Sequence, residues 1–230
     1  MRARWMQRAF LLVGLAALAS AAAYAQTDVA ASLYGAFGGT TTHNEGASRT
    51  TTQSPANATG GMLEVRHIAH PWFGYEGTYS FNRANQTYSE VIPLPCPSGG
   101  CGQVEPAIEA ISANAHEITG DWVASLKVRN LRPFALAGGG ILFDVPTTGQ
   151  AAQFNIIQVC GNTPCAPTTT AHKPVFVYGG GVDWKLVPHI GLRFQYRGNL
   201  YKAPNLTTLF TSTGAFMHTA EPMIGVYFRL

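Results

Sequence analysis

The sequence predicts an all-β chain, folded as a closed, antiparallel, up-and-down eight-stranded transmembrane β-barrel. Three observations carry that expectation: strict charged/apolar alternation, a low share of charge, and connectors that alternate between long and short. The clearest alternating stretch is Gly191 to Gly198, where Arg193, Gln195 and Arg197 interleave with Leu192, Phe194 and Tyr196. A strand sends successive side chains to opposite faces, so this segment has one charged face and one apolar face. The same alternation sets Glu64 and Arg66 against Leu63 and Val65, and Glu76 against Tyr75 and Tyr79. It returns with Glu117 and Asp121 against Ile118 and Trp122, and with Asp183 and Lys185 against Val182 and Trp184.

Charged residues make up only 12% of the chain, about half the usual share for a soluble domain. So poorly charged a surface suits a wall that faces lipid. Residues 1–25 read as a signal peptide. Arg2, Arg4 and Arg8 form a basic start, Ala9 to Ala23 an apolar run, and Ala23-Tyr24-Ala25 a small-x-small cleavage site that leaves Gln26 as the mature N-terminus. The run is short of the roughly 20 residues a spanning helix needs, and no later stretch is long and apolar enough to be one. Removing the three signal arginines from the 15 basic residues leaves 12 against 12 acidic ones. A neutral mature chain gives no support to a nucleic-acid partner. Residues 26–230 show no composition break and read as one barrel domain.

Strand candidates lie at residues 28–37, 60–69, 72–82, 115–127, 132–143, 174–186, 190–202 and 216–230. Long connectors run from Gly38 to Thr59, Arg83 to Asn114, Asp144 to Lys173 and Ala203 to Ala215. Short ones sit at His70-Pro71, Val128 to Leu131 and Val187 to His189. In an even-stranded up-and-down barrel, successive connectors emerge at opposite ends. Long loops at one end and tight turns at the other are the membrane-barrel arrangement. The Thr runs in the long connectors, Thr40-Thr41-Thr42, Thr50-Thr51-Thr52 and Thr168-Thr169-Thr170, read as polar, mobile loop. Trp72, Trp122, Phe134, Trp184 and Phe228 fall near the turn ends and predict an interfacial aromatic belt. Pro222 lies inside the last strand, where a bulge is expected.

With the apolar faces outward, the inner wall collects Glu64, Glu76, Glu117, Asp121, Asp183 and Glu221 as acids. It collects Arg66, Lys127, Lys185, Arg193, Arg197 and Arg229 as bases. Six meet six, which predicts a self-satisfied ion network filling the lumen, since buried charges need partners. Gly179 and Gly181 share the face of Asp183 and would make room for the long arginines.

These patterns resemble the small outer-membrane β-barrel family, the OmpA- and OmpX-like eight-stranded barrels. Ala137-Gly138-Gly139-Gly140-Ile141-Leu142-Phe143 is similar to that family's glycine-rich fifth strand, and Val177-Tyr178-Gly179-Gly180-Gly181-Val182-Asp183-Trp184 to its sixth. At the C-terminus, Ile224, Val226, Phe228 and Leu230 share one face, as in the terminal strand by which such barrels are recognised for insertion. The usual last residue there is Phe; here it is Leu230. The resemblance covers residues 26–230. It implies the bacterial outer membrane as location, its lipid as surroundings, and the barrel-assembly machinery as partner during insertion.

Cys96, Cys101, Cys160 and Cys165 form twin CxxxxC units in long connectors. An exported chain with four cysteines reads as two disulfides; three pairings are possible, and the two local ones are simplest. A four-thiolate zinc site is the sharper alternative, disfavoured by export and by the four-residue spacing. Seven histidines are scattered without an HExxH, and no GxSxG marks a nucleophile. No enzyme activity, cofactor or metal is expected. The leading expectation is therefore a structural or surface-interaction role exercised through the long loops, with the loop partner open. The rivals are a small channel or transporter for ions or apolar solutes, and a soluble lipocalin-like ligand-binding barrel.

Overall fold

A computed structural model describes residues 26–45, 49–91, 106–147, 168–207 and 212–230 of the chain. Its strands are β1 (Gln26–Gly38), β2 (Thr41–Glu45), β3 (Arg49–Pro55), β4 (Ala58–His70), β5 (Phe73–Arg83) and β6 (Gln86–Val91). They continue with β7 (Pro106–Ile111), β8 (Ala113–Ser125), β9 (Leu131–Pro146), β10 (Ala171–Lys185), β11 (Ile190–Lys202) and β12 (Phe216–Arg229).

Eight of these close into an antiparallel barrel in the order β1-β12-β11-β10-β9-β8-β5-β4. β1 shuts it by pairing with β12 on one side and β4 on the other. Closure matters in lipid, where no water is available to satisfy an open sheet edge. The eight barrel strands are those expected from the alternation, with ends shifted by a few residues.

Alternation sets the two faces. Val29, Leu33, Leu63, Val65, Ile118, Phe194, Ile224, Val226 and Phe228 point outward and are exposed, while the charged residues between them are buried. That is the reverse of a soluble ligand-binding barrel, which needs the apolar face inside. Leu230 follows β12, exposed, with its backbone N–H donated to the Thr27 carbonyl at 2.9 Å.

The long connectors 38–59 and 83–114 are not simply mobile loop. β2 and β3 form a hairpin above β1 and β4, β6 and β7 form one above β5 and β8, and the two join as a four-stranded sheet in the order β2-β3-β6-β7. Threonine is β-branched and favours strands. Both faces of β2, β3 and β6 are largely polar, so the apolar/polar alternation that marked the barrel strands is absent there.

Two smaller expectations are corrected. Pro222 causes no bulge: β12 keeps one register along β11, with Tyr196 opposite Pro222. Along β1 the pairing stops at Tyr34 with Met223 and resumes at Phe37 with Ala220 in the same register. The missing proline N–H opens the ladder locally without shifting it. A register shift falls instead between Ile68 and His70, beside the β4–β5 turn. Phe134 leaves the aromatic belt: it points into the lumen and is buried.

Trp72, Trp122, Trp184 and Phe228 do face outward near the turns, with Phe73 stacked on Trp122 at 5.3 Å. Histidines join these rings. His67 lies against Tyr75 and His189 against Phe228 at the turn end. His116 accepts or donates a 2.9 Å hydrogen bond with Tyr79, and His218 one with Tyr178, at the opposite end. Amphipathic rings suit the height where lipid gives way to water.

Phe194→Arg places a charge on the outward face in mid-strand. It should cost about 2–4 kcal/mol if near the bilayer midplane, and less towards an interface, as read from urea unfolding in lipid vesicles. Unchanged stability would show that this face does not meet lipid.

Candidate functional site

The lumen is built from inward side chains of all eight barrel strands. Near the turns, Asp28 of β1 lies 3.2 Å from Arg229 Nε and 3.9 Å from Arg132 Nη1. Gln26 joins the same group, donating to Asp28 at 2.7 Å and accepting from Arg132 at 2.9 Å. Register supplies the next layer, because Arg66 sits opposite Glu76 and Arg193 opposite Asp183. Arg66 Nε donates to Glu76 Oε2 at 2.6 Å, and its Nη1 to Asp183 at 3.3 Å.

Arg193 grips Asp183 with both arms of its fork, Nε to Oδ1 at 2.7 Å and Nη2 to Oδ2 at 3.1 Å. Its Nη1 reaches across the lumen to Glu64 of β4. Bidentate guanidinium–carboxylate pairs are among the stronger hydrogen bonds. The Phe134 ring lies 3.9 Å beneath the Arg66 guanidinium, a cation–π contact. A Cβ on Gly181 would come within 2.8 Å of that ring. The space at Gly181 is thus taken by Phe134, which in turn supports Arg66.

Higher up, Arg197 stands among Glu117 at 3.4 Å, Asp121 at 3.5 Å, Thr119 at 3.0 Å and Thr78 at 3.3 Å. Asn199 donates to Glu117 at 2.9 Å. Around a small cavity of about 40 Å³ beyond them sit Glu221, Asp144, Tyr34 and Tyr201. Asp144 and Glu221 are buried and make no ion pair among the described residues.

The six-against-six balance is therefore corrected. Lys127 lies exposed in the β8–β9 turn, outside the lumen. Lys185 is half-buried at the end of β10; its backbone N–H donates to the Asn130 carbonyl, and its ammonium makes no ion pair among the described residues. Lys127 lies beyond the end of β8, and Lys185 is the last residue of β10, at the rim of the barrel. In their place Arg132 turns inward, together with two unforeseen acids, Asp28 and Asp144. Parity could have found all three: Asp28 lies an even number of residues from Ser32, and Arg132 and Asp144 share the even face of β9.

The mouth opposite the turns is covered by the four-stranded sheet. Its inner face carries Thr51, Gln53, Gln86 and Tyr88, all buried. Gln53 Nε2 and the Tyr88 hydroxyl both donate to the Pro204 carbonyl, at 2.9 and 2.8 Å. The Leu206 N–H donates to the same tyrosine oxygen at 3.2 Å. Tyr88, Ile111, Ala113, Ala171 and Leu206 form a small apolar cluster beneath. The outer face is a ladder of hydroxyls: Thr42 opposite Thr52, and Thr52 opposite Ser89. Cys96, Cys101, Cys160 and Cys165 lie outside the described residues.

A family model for the outer membrane protein beta-barrel domain matches residues 9–216. Among solved structures, Neisserial surface protein A is similar with a TM-score of 0.52 at 12% identity, over 88% of this chain and 96% of that one. OprG from Pseudomonas aeruginosa matches with a TM-score of 0.48 at 8% identity, over 89% of this chain and 95% of its own. Ail of Yersinia pestis, in complex with the heparin analogue sucrose octasulfate, matches at 0.46 and 12%, over 89% and 99%. No curated protein matches. At such identities the first of these likenesses shows the barrel fold and nothing finer.

Three substitutions test the lumen and the sheet above it. Arg193→Ala strands Asp183 and Glu64 and should destabilise the barrel by about 3–5 kcal/mol, whereas Lys185→Ala should stay within about 0.5 kcal/mol; urea unfolding of both in one lipid compares them. Tyr88→Phe removes a hydroxyl that serves both Pro204 and Leu206. Limited proteolysis should then speed up around residues 203–207, while the barrel's unfolding midpoint stays put.

Proposed function

The chain belongs to the outer membrane protein beta-barrel domain family, and from that premise we propose that it is a non-catalytic surface protein. Its barrel serves as a closed anchor, and its working part is the sheet held above the mouth. The location in the outer membrane follows from the family; long connectors then face the exterior and short turns the periplasm. We read residues 1–25 as the cleaved signal peptide of the 26–230 domain. The barrel-assembly machinery would recognise the outward row Ile224, Val226, Phe228 and Leu230.

The observation that carries this reading is the tie of Gln53 and Tyr88 to Pro204. Hydrogen bonds between connectors far apart in sequence hold β3 and β6 at a fixed height and angle. A preordered surface loses less conformational entropy on binding than a mobile loop does. The hydroxyl ladder of Thr42, Thr52 and Ser89 offers an uncharged, hydrogen-bonding face to a partner of polar chemistry. The arginine–carboxylate layers support a filled lumen, against the channel reading.

Cell-surface adhesion of bacteria expressing the wild type, compared with Thr42→Val/Thr52→Val/Ser89→Ala, tests the role of the outer face. Loss of adhesion at equal surface expression is expected; equal adhesion would remove the sheet from the function. In planar bilayers the wild type should give no steady conductance, and sustained ohmic currents would favour the channel. Mass spectrometry of the unreduced exported protein should find Cys96 joined to Cys101 and Cys160 to Cys165. Four free thiols would point to metal binding instead.

A further inference from the structure

On the outer wall, β1, β4, β5 and β12 enclose an open groove of about 730 Å³, walled by Leu33, Phe81 and Ile224 and floored by Gly35, Gly61 and Pro222. A second hollow of about 600 Å³ shares Gly35, Thr59 and Phe81 with it and continues to Arg83, at the exterior end of β5. We propose that this continuous groove seats one acyl chain of a phosphorylated outer-leaflet lipid, with Arg83 holding the lipid phosphate.

Parity places the groove on the lipid side. Leu33, Phe81, Pro222 and Ile224 are exposed, while their neighbours Tyr34, Ser80, Glu221 and Met223 are buried inside. Register then lines up the small residues. Leu33 pairs with Gly61, Gly61 with Phe81, and Gly35 with Thr59, so the wall is hollow where adjacent strands lack bulk together. In a bilayer no water fills such a hollow, because the surroundings are hydrocarbon. An acyl chain laid along it gains dispersion contacts that a flat wall does not offer.

The groove's polar end fixes which lipid. Arg83 lies two residues beyond Phe81 on the same outward face, is exposed, and makes no ion pair among the described residues. It sits at the long-connector end, level with the outer leaflet's headgroups. A guanidinium presents a planar fork that matches phosphate oxygens in pairs. One chain in the hollow and one phosphate on Arg83 make a two-point contact, stronger for an uncapped phosphate monoester, which carries about −1.5 to −2 charge, than for the phosphodiester of a zwitterionic lipid, whose single charge is already balanced by its own ammonium. The inference rests on the outer-membrane location and is independent of the sheet's surface role.

The glycine contacts indicate how to test it. A Cβ on Gly60, which faces inward, would meet the Phe81 carbonyl at 2.6 Å. One on Gly61 meets nothing closer than the Ser32 carbonyl oxygen at 4.0 Å. Gly61→Leu therefore fills the groove without a clash. The full chain is folded in detergent, and retained lipid is counted by native mass spectrometry during titration with lipid A, a phosphorylated multi-acyl lipid, or with phosphatidylcholine. The wild type should keep one lipid A. Gly61→Leu should bind it about tenfold more weakly, and Arg83→Gln should lose about tenfold of the preference for lipid A over phosphatidylcholine, the factor one charge-assisted hydrogen bond supplies. Folding of each variant is checked by its gel shift on heating. Equal retention of both lipids by the wild type, or unchanged lipid A binding by folded Gly61→Leu, would overturn the proposal. Neither variant touches Thr42, Thr52 or Ser89, so adhesion and lipid binding fail separately.

Discussion

The fork of Arg193 on Asp183 is the contact that the rest of the barrel is arranged around. It joins β11 to β10, and its remaining nitrogen reaches Glu64 on β4 across the lumen. A guanidinium taken out of water is tolerable only with such partners. Once Arg193 points inward, the period of two sends Leu192 and Phe194 outward, and register does the same for Val182, Trp184 and Ile224 on either side. A slip of one residue would put Arg193 into lipid and Phe194 onto Glu64. The ionic lumen and the apolar wall are thus one constraint seen from two sides.

That coupling is why the barrel was legible in the sequence. Each barrel strand carries its charges and its apolar residues in opposite parity, so the strands and their faces could be read together. What escaped was whatever did not alternate between polar and apolar. β2, β3 and β6 are polar on both faces, and Tyr88 is the one buried aromatic among their described side chains. Their pairing is fixed by continuation from the barrel hairpins and by hydrogen bonds to Pro204, neither of which is a local signal. The lysines failed for a different reason. Lys127 and Lys185 have inward parity, but parity counts only while the strand still lies within the barrel, and β8 ends at Ser125 and β10 at Lys185. Height near a turn misleads for Phe134; its even parity with Arg132 and Leu136 gives the inward direction.

The inward glycines are set by how closely the adjoining strands approach. Gly138, Gly140, Gly179 and Gly181 line the inner face of β9 and β10, interleaved with Leu136, Leu142, Val175 and Val177. This wall carries little charge between Arg132 and Asp183 at its turn end and Asp144 at its mouth. The long side chains come from β4 and β11, and an eight-stranded lumen is only wide enough for side chains to fill. Phe134 occupies part of that space and supports Arg66 by its ring face. A Cβ on Gly138, Gly140, Gly179 or Gly181 would run into the backbone carbonyls of Gly120, Ile118, Tyr196 or Phe194 on the adjoining strands, so the glycine-rich signature answers close strand approach on the inner face rather than the volume of the arginines.

Ion pairing is unevenly distributed along the axis, and the unevenness divides the labour of closing the barrel. Towards the turns, Arg66, Arg132, Arg193 and Arg229 meet Asp28, Glu64, Glu76 and Asp183, four cations against four acids. Towards the mouth, Arg197 pairs with Glu117 and Asp121, while Asp144 and Glu221 make no ion pair among the described residues. The lower half is sealed by charge. The upper half, poorer in ionic ties, is the half over which β2, β3, β6 and β7 are folded and fastened to residues 204–206 by uncharged hydrogen bonds. Such bonds let the upper seal keep one shape while leaving its outer face free of charge. The same chain thereby holds a rigid ionic base in the membrane and a neutral, ordered platform outside it.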